Sequence, residues 1–380
     1  MRKALIAAVS IAVSVGFVSG APAAFAVGSN ITFTTYTTAN GLGTNYLTGV
    51  YVAGGTIYVS TANYPGGFSI STNGGTTFSN KTTTNGLGND TTNGAYASGS
   101  TVYAATSGGL SISTNGGTSF TNKTASAGLG NNNVRGVYAS GSNVYAATTG
   151  GLSISTNGGT NFTNYTTSNG LGSNTVNGVY ASGGTIYAAT GGGLSISSNG
   201  GTNFTNYTTS NGLGSNTVNG VYVSGGTIYA ATGVGLSISS NGGTSFTNYT
   251  TSNGLGNDEV RGVYVVGTTI YAATRGGVSI SSNGGTSFTN YTTADGLGGN
   301  AISAIFVDNG SIYAATDIGG LSVYLAPAST STPIPMWQQA IGRASATAIC
   351  PEGYTPSWDW WPNNHTGGFV CNKFVPVYGN

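Results

Sequence analysis

Between residues 31 and 325 the apolar residues fall in short runs that alternate with Ser, Thr and Asn and are interrupted every few residues by Gly. The pattern is cleanest in one stretch. Val218-Asn219-Gly220-Val221-Tyr222-Val223 is followed by Thr227-Ile228-Tyr229-Ala230-Ala231-Thr232, then Gly235-Leu236-Ser237-Ile238-Ser239, then Thr244-Ser245-Phe246-Thr247-Asn248-Tyr249. Each run is rich in β-branched or aromatic residues and bounded by Gly, Ser or Asn. Leu236 and Ile238 alternate with Ser237 and Ser239, the two-residue period of a strand. Helices are disfavoured because Gly and dense Ser/Thr/Asn clusters interrupt every longer run. Four short strands joined by tight turns are therefore expected in each unit.

The unit recurs. Phe78, Phe120, Phe162, Phe204, Phe246 and Phe288 are spaced by 42 residues, and Tyr103, Tyr145, Tyr187, Tyr229, Tyr271 and Tyr313 keep the same interval, with Tyr58 preceding them. A four-stranded unit of this length is one β-propeller blade, and seven copies of the Tyr segment predict seven blades. After Leu321-Ser322-Val323-Tyr324 the fourth strand is missing, and Ile31-Thr32-Phe33-Thr34-Thr35-Tyr36 supplies it from the other end of the array. The expected fold is all-β: a closed seven-bladed propeller whose first strand completes its last blade and removes two open sheet edges. A linear solenoid is the alternative, but it requires caps that the sequence does not offer. The seven second-strand tyrosines read as core or blade-interface residues, a ring of functional phenols being the alternative.

Between the third and fourth strands lies Ser-x-Asn-Gly-Gly-Thr-x-Phe in six copies, with its asparagine at Asn73, Asn115, Asn157, Asn199, Asn241 and Asn283. Asn can accept backbone N–H groups across a tight turn, paired Gly tolerate positive φ, and the Phe can pack beneath. This motif resembles the Asp-box of sialidase-like (BNR repeat) and related propellers, with Asn where that family usually has Asp and Phe where it often has Trp. The resemblance extends over about residues 31–325. It implies a structural turn on the face away from the usual ligand site. Sialidase activity is not implied, because Arg135, Arg261 and Arg275 do not fall in a recognisable equivalent of that family's arginine cluster.

Composition narrows the setting. Gly makes up 66 of 380 residues and charged residues only 4%, against about 25% in ordinary domains. The periodic Tyr, Val, Ile and Leu argue against disorder, and a net charge of +1 gives no electrostatic reason to expect nucleic acid as partner. Residues 1–26 read as a secretory signal peptide: Arg2 and Lys3, an apolar run, then Ala24-Phe25-Ala26. An uncleaved anchor is the alternative, but the apolar run is shorter than a typical span of about 20 residues. The mature chain is expected to be secreted or cell-wall associated, monomeric and without a transmembrane anchor. It is expected to comprise the propeller (27–325), a Pro/Ser/Thr linker (326–336) and a C-terminal module (337–380).

That module holds Trp337, Trp358, Trp360 and Trp361, all the Trp of the chain, and its only cysteines, Cys350 and Cys371. An even pair in an exported chain suggests a disulfide, which would staple a segment too short to bury much core. The residues from Cys350-Pro351-Glu352-Gly353 to Gly367-Gly368-Phe369-Val370-Cys371 resemble a short C-terminal module of exported actinobacterial proteins, which implies a Gram-positive extracellular setting and no activity. Trp358, Trp360 and Trp361 form either a compact core or a platform for sugar rings.

No cofactor or metal is called for. The propeller has no His, no loop carries a calcium-like ladder of carboxylates, and the Gly pairs around Leu171 lack the sequel of a phosphate-binding loop. Strand order puts the long approach to each first strand and the second-to-third turn on one face, where function is expected. Scarce charge gathers there late in the array: Asp258, Glu259, Arg261, Arg275, Asp295 and Asp317, where earlier repeats are mostly neutral. These six residues are the candidate polar site. No catalytic residue is identified. The expected function is binding of a glycan or cell-wall polymer through repeated polar loops. The alternatives are a structural or protein-interaction surface, with an extracellular protein as partner, and glycoside hydrolysis by a pair of these carboxylates.

Overall fold

The computed structural model describes residues 31–62 and 65–327, together with the backbone of Tyr354–Trp360 and Gly367–Lys373. Contacts divide the chain into two units, Met1–Leu325 and Ala326–Asn380. The first unit is a closed seven-bladed β-propeller of seven four-stranded antiparallel sheets. The innermost strands are Leu47–Ala53, Thr92–Ser98, Val134–Ser140, Val176–Ser182, Val218–Ser224, Val260–Val266 and Ile302–Asp308, which number blades 1 to 7. Six blades run from inner to outer strand in chain order. In blade 7 the outer strand is Thr34–Tyr36, paired with Leu321–Tyr324 through Thr34–Val323, Thr35–Ser322 and Tyr36–Leu321.

The outer strands are shorter than the sequence pattern predicts, three residues instead of six: Thr34–Tyr36 in blade 7 and Thr247–Tyr249 in blade 5. The reason is a competing hydrogen bond. Phe246 N donates to Asn211 O of the preceding connection (2.8 Å), and Phe33 N donates to Asp295 O (2.9 Å), so these amides tie neighbouring blades together. Both phenyl groups are buried, as are Leu213, Leu255 and their counterparts on the connections.

The core lies in the seven seams between blades. At the seam of blades 3 and 4, Tyr145, Ala147, Leu152 and Ile154 pack against Leu171, Val176, Ile186 and Phe204. At the closing seam, Tyr313, Leu321 and Val323 pack against Leu47, Val50 and Ile57. Of the second-strand tyrosines, Tyr58, Tyr103, Tyr145, Tyr271 and Tyr313 are buried, and Tyr187 and Tyr229 are half-buried in the same clusters. Near the axis the inner strands approach through glycine. A Cβ on Gly136 would lie 3.6 Å from Gly178 Cα, and one on Gly49 would lie 3.3 Å from Gly94 Cα.

The six Asn-Gly-Gly turns have the geometry their residues suggest. In blade 5, Asn241 Oδ1 accepts from Ser245 N (3.0 Å) and Ser239 Oγ (2.8 Å), while Asn241 Nδ2 donates to Ser245 Oγ (2.8 Å). Gly242 and Gly243 take φ of 73° and 92°, which the absence of a Cβ permits. Among the described residues, no helix is long and apolar enough to cross a membrane.

The second unit contributes a hairpin whose register pairs Tyr354 with Lys373, Trp358 with Phe369 and Trp360 with Gly367. Cys350 and Trp361 lie outside the described residues, as do the side chains of Trp358, Trp360 and Cys371, so the expected bridge and aromatic surface fall outside them too.

Candidate functional site at the upper channel mouth

Each inner strand enters the ring from the upper face, where the long connections and the second-to-third turns lie. Just inside, every one of them is bulged. The register slips between its first and third residues, as between Val134 and Gly136. A bulge leaves its extra residue outside the ladder and re-aims its side chain. Here that residue is Thr48, Asn93, Arg135, Asn177, Asn219, Arg261 or Ser303, one per blade around the channel mouth.

In five blades the bulged side chain latches onto the next blade, donating to the carbonyl of its first inner-strand residue. Thr48 bonds Thr92 O (2.7 Å), Asn93 bonds Val134 O (2.8 Å), and Asn177 bonds Val218 O (2.8 Å). Asn219 bonds Val260 O (2.8 Å), and Ser303 bonds Leu47 O (2.6 Å) across the closing seam. The two exceptions are both arginine.

Arg261 turns to acidic partners: NH1 reaches Asp317 at 2.7 Å and Nε reaches Glu259 Oε1 at 3.0 Å, while Arg275 NH1 reaches Glu259 Oε2 at 3.1 Å. The hydrogen bond from Arg261, aided by Arg275, holds the Glu259 carboxyl below the usual carboxylate range against its partial burial. Arg135 is exposed, and its NH1 donates to Asn177 Oδ1 at 2.9 Å. Among the described residues it has no carboxylate within ion-pair distance. A cavity of about 410 Å³ lies over these groups, lined by Asn93, Asn133, Arg135, Asn177, Asn219, Glu259 and Arg261 among others.

The structure thus brings four of the six candidate residues together: Glu259, Arg261, Arg275 and Asp317. The other two sit on turns. Asp258 Oδ1 accepts from Thr251 N (2.7 Å), as Asn216 does from Thr209 N one blade earlier. Asp295 Oδ2 accepts from Thr292 N (2.8 Å), as Asn253 does from Thr250 N, and completes the same capping box. Both therefore replace asparagines that cap 3-10 turns. Arg135 belongs to the site although charge clustering did not select it. The available signal was its position, three repeat periods before Arg261.

Deeper in the channel lies a second ring. Tyr51, Tyr96, Tyr138, Tyr180, Tyr222, Tyr264 and Phe306 close a circuit in which each aromatic centroid stands 4.7–5.1 Å from the next. Their planes turn by 42–58° from one to the next, bracketing the roughly 51° that sevenfold rotation requires. The hydroxyls from Tyr51 round to Tyr264 lie near enough to perturb one another's ionisation, and Phe306 has none. Burial, and then the neighbouring Tyr222, push the Tyr180 phenol up to about 12. An aromatic ring of six phenols and one phenyl thus exists one strand further in than the second-strand tyrosines.

Neither a protein-family model nor a curated protein matches the sequence. Among solved structures, a domain described as the extracellular part of a hybrid two-component system of B. thetaiotaomicron superposes with a TM-score of 0.67 at 20% identity, over 91% of this chain and 46% of that one. A second such ectodomain from the same organism gives 0.62 at 16% identity, over 78% and 40%. YCF48 from Cyanidioschyzon merolae gives 0.56 at 16% identity, over 74% of this chain and 95% of that one. The chain spans less than half the length of the two sensor ectodomains. At these identities the likeness is one of fold: the chain is built as those propellers are.

Proposed function

We propose that this chain is an extracellular binding module that takes a glycan or cell-wall polymer at the upper mouth of its channel, with Arg135 as the anchoring charge. The observation that carries the reading is the pair of arginines where five blades have a latch. Each arginine exchanges the bond to the next blade's backbone carbonyl for a bond to a side chain of that blade, and departures from a local rule tend to mark working sites. Arg261 is matched by Glu259 and Asp317, whereas Arg135 keeps its charge free to meet an acidic or strongly polar ligand group. The amides of Asn93, Asn133, Asn177 and Asn219 add donors and acceptors suited to hydroxyls.

Export and wall association rest on the signal-like residues 1–26 and the C-terminal module, with its expected Cys350–Cys371 bridge and with Trp358, Trp360 and Trp361. Kinship with Asp-box propellers rests on the six turns. Glycoside hydrolysis has less support. A general acid needs a raised pKa, whereas Glu259 is held low by its arginines, and Asp258 and Asp295 are engaged as caps.

The test is a glycan array together with a pull-down on purified Gram-positive cell walls, comparing the full chain with one ending at Leu325. Saturable binding kept by the shorter chain supports the channel mouth. Binding kept only by the full chain transfers the role to the tail, and binding to neither material leaves a protein partner or a structural surface.

A further inference from the structure

The Asn-Gly-Gly turn occurs six times in a ring of seven blades, and the blade that lacks it leaves a space at the outer rim. Elsewhere the turn of one blade lies against the tyrosine that ends the outer strand of the blade before it. A Cβ on Gly75 would lie 3.0 Å from the Tyr36 ring, one on Gly243 3.4 Å from Tyr207, one on Gly285 3.5 Å from Tyr249 and one on Gly201 3.6 Å from Tyr165. Tyr291 ends the outer strand of blade 6 in the same way. Blade 7 brings no such turn against it, because its outer strand comes from the other end of the array. Tyr324 stands where the other blades have the first serine of the turn, and it packs its ring on Phe33. A cavity of about 490 Å³ lies at this seam, lined by Thr32, Tyr291, Thr293, Ala294 and Asp295 among others. That is room for one sugar ring or one long side chain.

The same seam carries a second departure from the repeat. The third residue of the 3-10 turn is Asn40, Asn85, Ala127, Asn169, Asn211 or Asn253 elsewhere and Asp295 here. Asp295 Oδ2 performs the capping task by accepting from Thr292 N (2.8 Å). Among the described residues its Oδ1 accepts no hydrogen bond and no cation pairs with the carboxylate. Burial, and then the Asp295 charge, push the Tyr291 phenol above its usual range, which sets the carboxylate beside the ring. A turn lost to ring closure and a charge gained by substitution thus meet in one cavity.

An aromatic ring, an unpaired carboxylate and the hydroxyls of Thr32 and Thr293 are the complement of an ammonium group. The ring attracts a cation through its quadrupole, the carboxylate forms a charge-assisted bond, and the hydroxyls accept the remaining N–H groups. A neutral sugar leaves the carboxylate's charge unmatched. We propose that the closing seam is a second binding site, which takes a primary ammonium group on a compact polar frame, as an amino sugar or a diamino acid side chain presents it. It shares no lining residue with the channel mouth, where Glu259 and Asp317 are already paired with arginine, so it stands independently of that site.

The array itself supplies substitutions that the fold accommodates. Asp295→Asn restores the residue of five other turns, and Tyr291→Lys installs the residue that Lys81 and Lys123 hold at the same place in blades 1 and 2. Asn253→Asp is the control, a carboxylate at the equivalent position beside an intact turn. Full-length wild type and the three variants, compared first by melting temperature, are titrated calorimetrically with four probes. These are a glucosamine trimer and its fully N-acetylated form, and Nα-acetyl-lysine amide and its Nε-acetylated form. The site predicts that wild type binds at least one free amine and binds the acetylated partner about tenfold more weakly or less. It predicts a loss of about tenfold or more in both Asp295→Asn and Tyr291→Lys, and no added binding in Asn253→Asp. Binding of either free amine supports the site, and the tighter of the two identifies the source of the ammonium group. Equal affinity for free and acetylated probes, or unaltered affinity in a folded Asp295→Asn, overturns the proposal. So does a doubled binding signal in Asn253→Asp, which would mean that any rim carboxylate suffices, or no binding of either free amine by wild type.

Discussion

Truncating Phe33 tests how the ring is held shut. Phe33 is 5% exposed and packs edge-on against Tyr324, with ring centroids 6.5 Å apart and planes at 63°. It precedes the only outer strand that no hairpin turn joins to its own blade, because Thr34–Tyr36 comes from the opposite end of the array. Phe33→Ala loses a buried aromatic, about 3–5 kcal/mol when the cavity cannot collapse, and an edge-to-face contact of about 1 kcal/mol. Phe246→Ala, at the equivalent place in blade 5 and 8% exposed, shares the first cost. The two variants should therefore lose similar global stability in denaturant titrations and differ in where they open. In Phe33→Ala the closing strand keeps its pairing with Leu321–Tyr324 and its bonds to the Asp295–Gly296 connection but has no hairpin tether, so native-state hydrogen exchange should show those two strands opening well before the rest. In Phe246→Ala the hairpin tethers Thr247–Tyr249, and no comparable local opening is expected. A Phe33→Ala variant within about 0.5 kcal/mol of wild type, or one with undiminished protection at this seam, would refute the reasoning.

Three other outcomes follow from the same structure. Asn241→Ala removes the acceptor for Ser245 N and Ser239 Oγ and should cost about 1–2 kcal/mol in thermal or chemical denaturation, whereas Asn241→Asp keeps the acceptor and should stay within about 0.5 kcal/mol. Ser60 is fully buried with its hydroxyl unpartnered where the six later blades have alanine, so Ser60→Ala should stabilise by about 1 kcal/mol; a loss of stability would show a missed partner. The channel phenols titrate above the unfolded value of about 10. The neutral form is therefore the one the fold favours, and this stability is complete below pH 10 and lost as pH rises toward about 12, the Tyr180 value. Phenolate absorbance followed with circular dichroism should show these tyrosines ionising only as the fold is lost; ionisation of every tyrosine near pH 10 in a folded chain would contradict it.

Much of the architecture was legible because the 42-residue period records blade boundaries, turns and the mismatch between the two ends. Outer-strand length was not, since whether Phe246 N joins the ladder or Asn211 O depends on the neighbouring blade. The site was legible in part. Rarity of charge pointed to Glu259, Arg261, Arg275 and Asp317, which do meet, but it also selected Asp258 and Asp295, whose oxygens do the work of asparagines elsewhere in the array. Arg135 stood alone in its repeat, and its relation to Arg261 depends on a bulge that propensity does not reveal. The aromatic ring had the same period as the second-strand tyrosines. Only the placement of the inner strands around the axis separates the two sets.

The most direct test of a channel-mouth binding module is a saturation curve on Gram-positive cell walls for wild type and Arg135→Gln. Arg135 is exposed and donates one hydrogen bond, to Asn177, so the variant should melt with the wild type. The account predicts saturable binding by the wild type, about tenfold weaker or more in the variant, since a charge-assisted contact is lost. Indistinguishable curves for two equally stable proteins would contradict it.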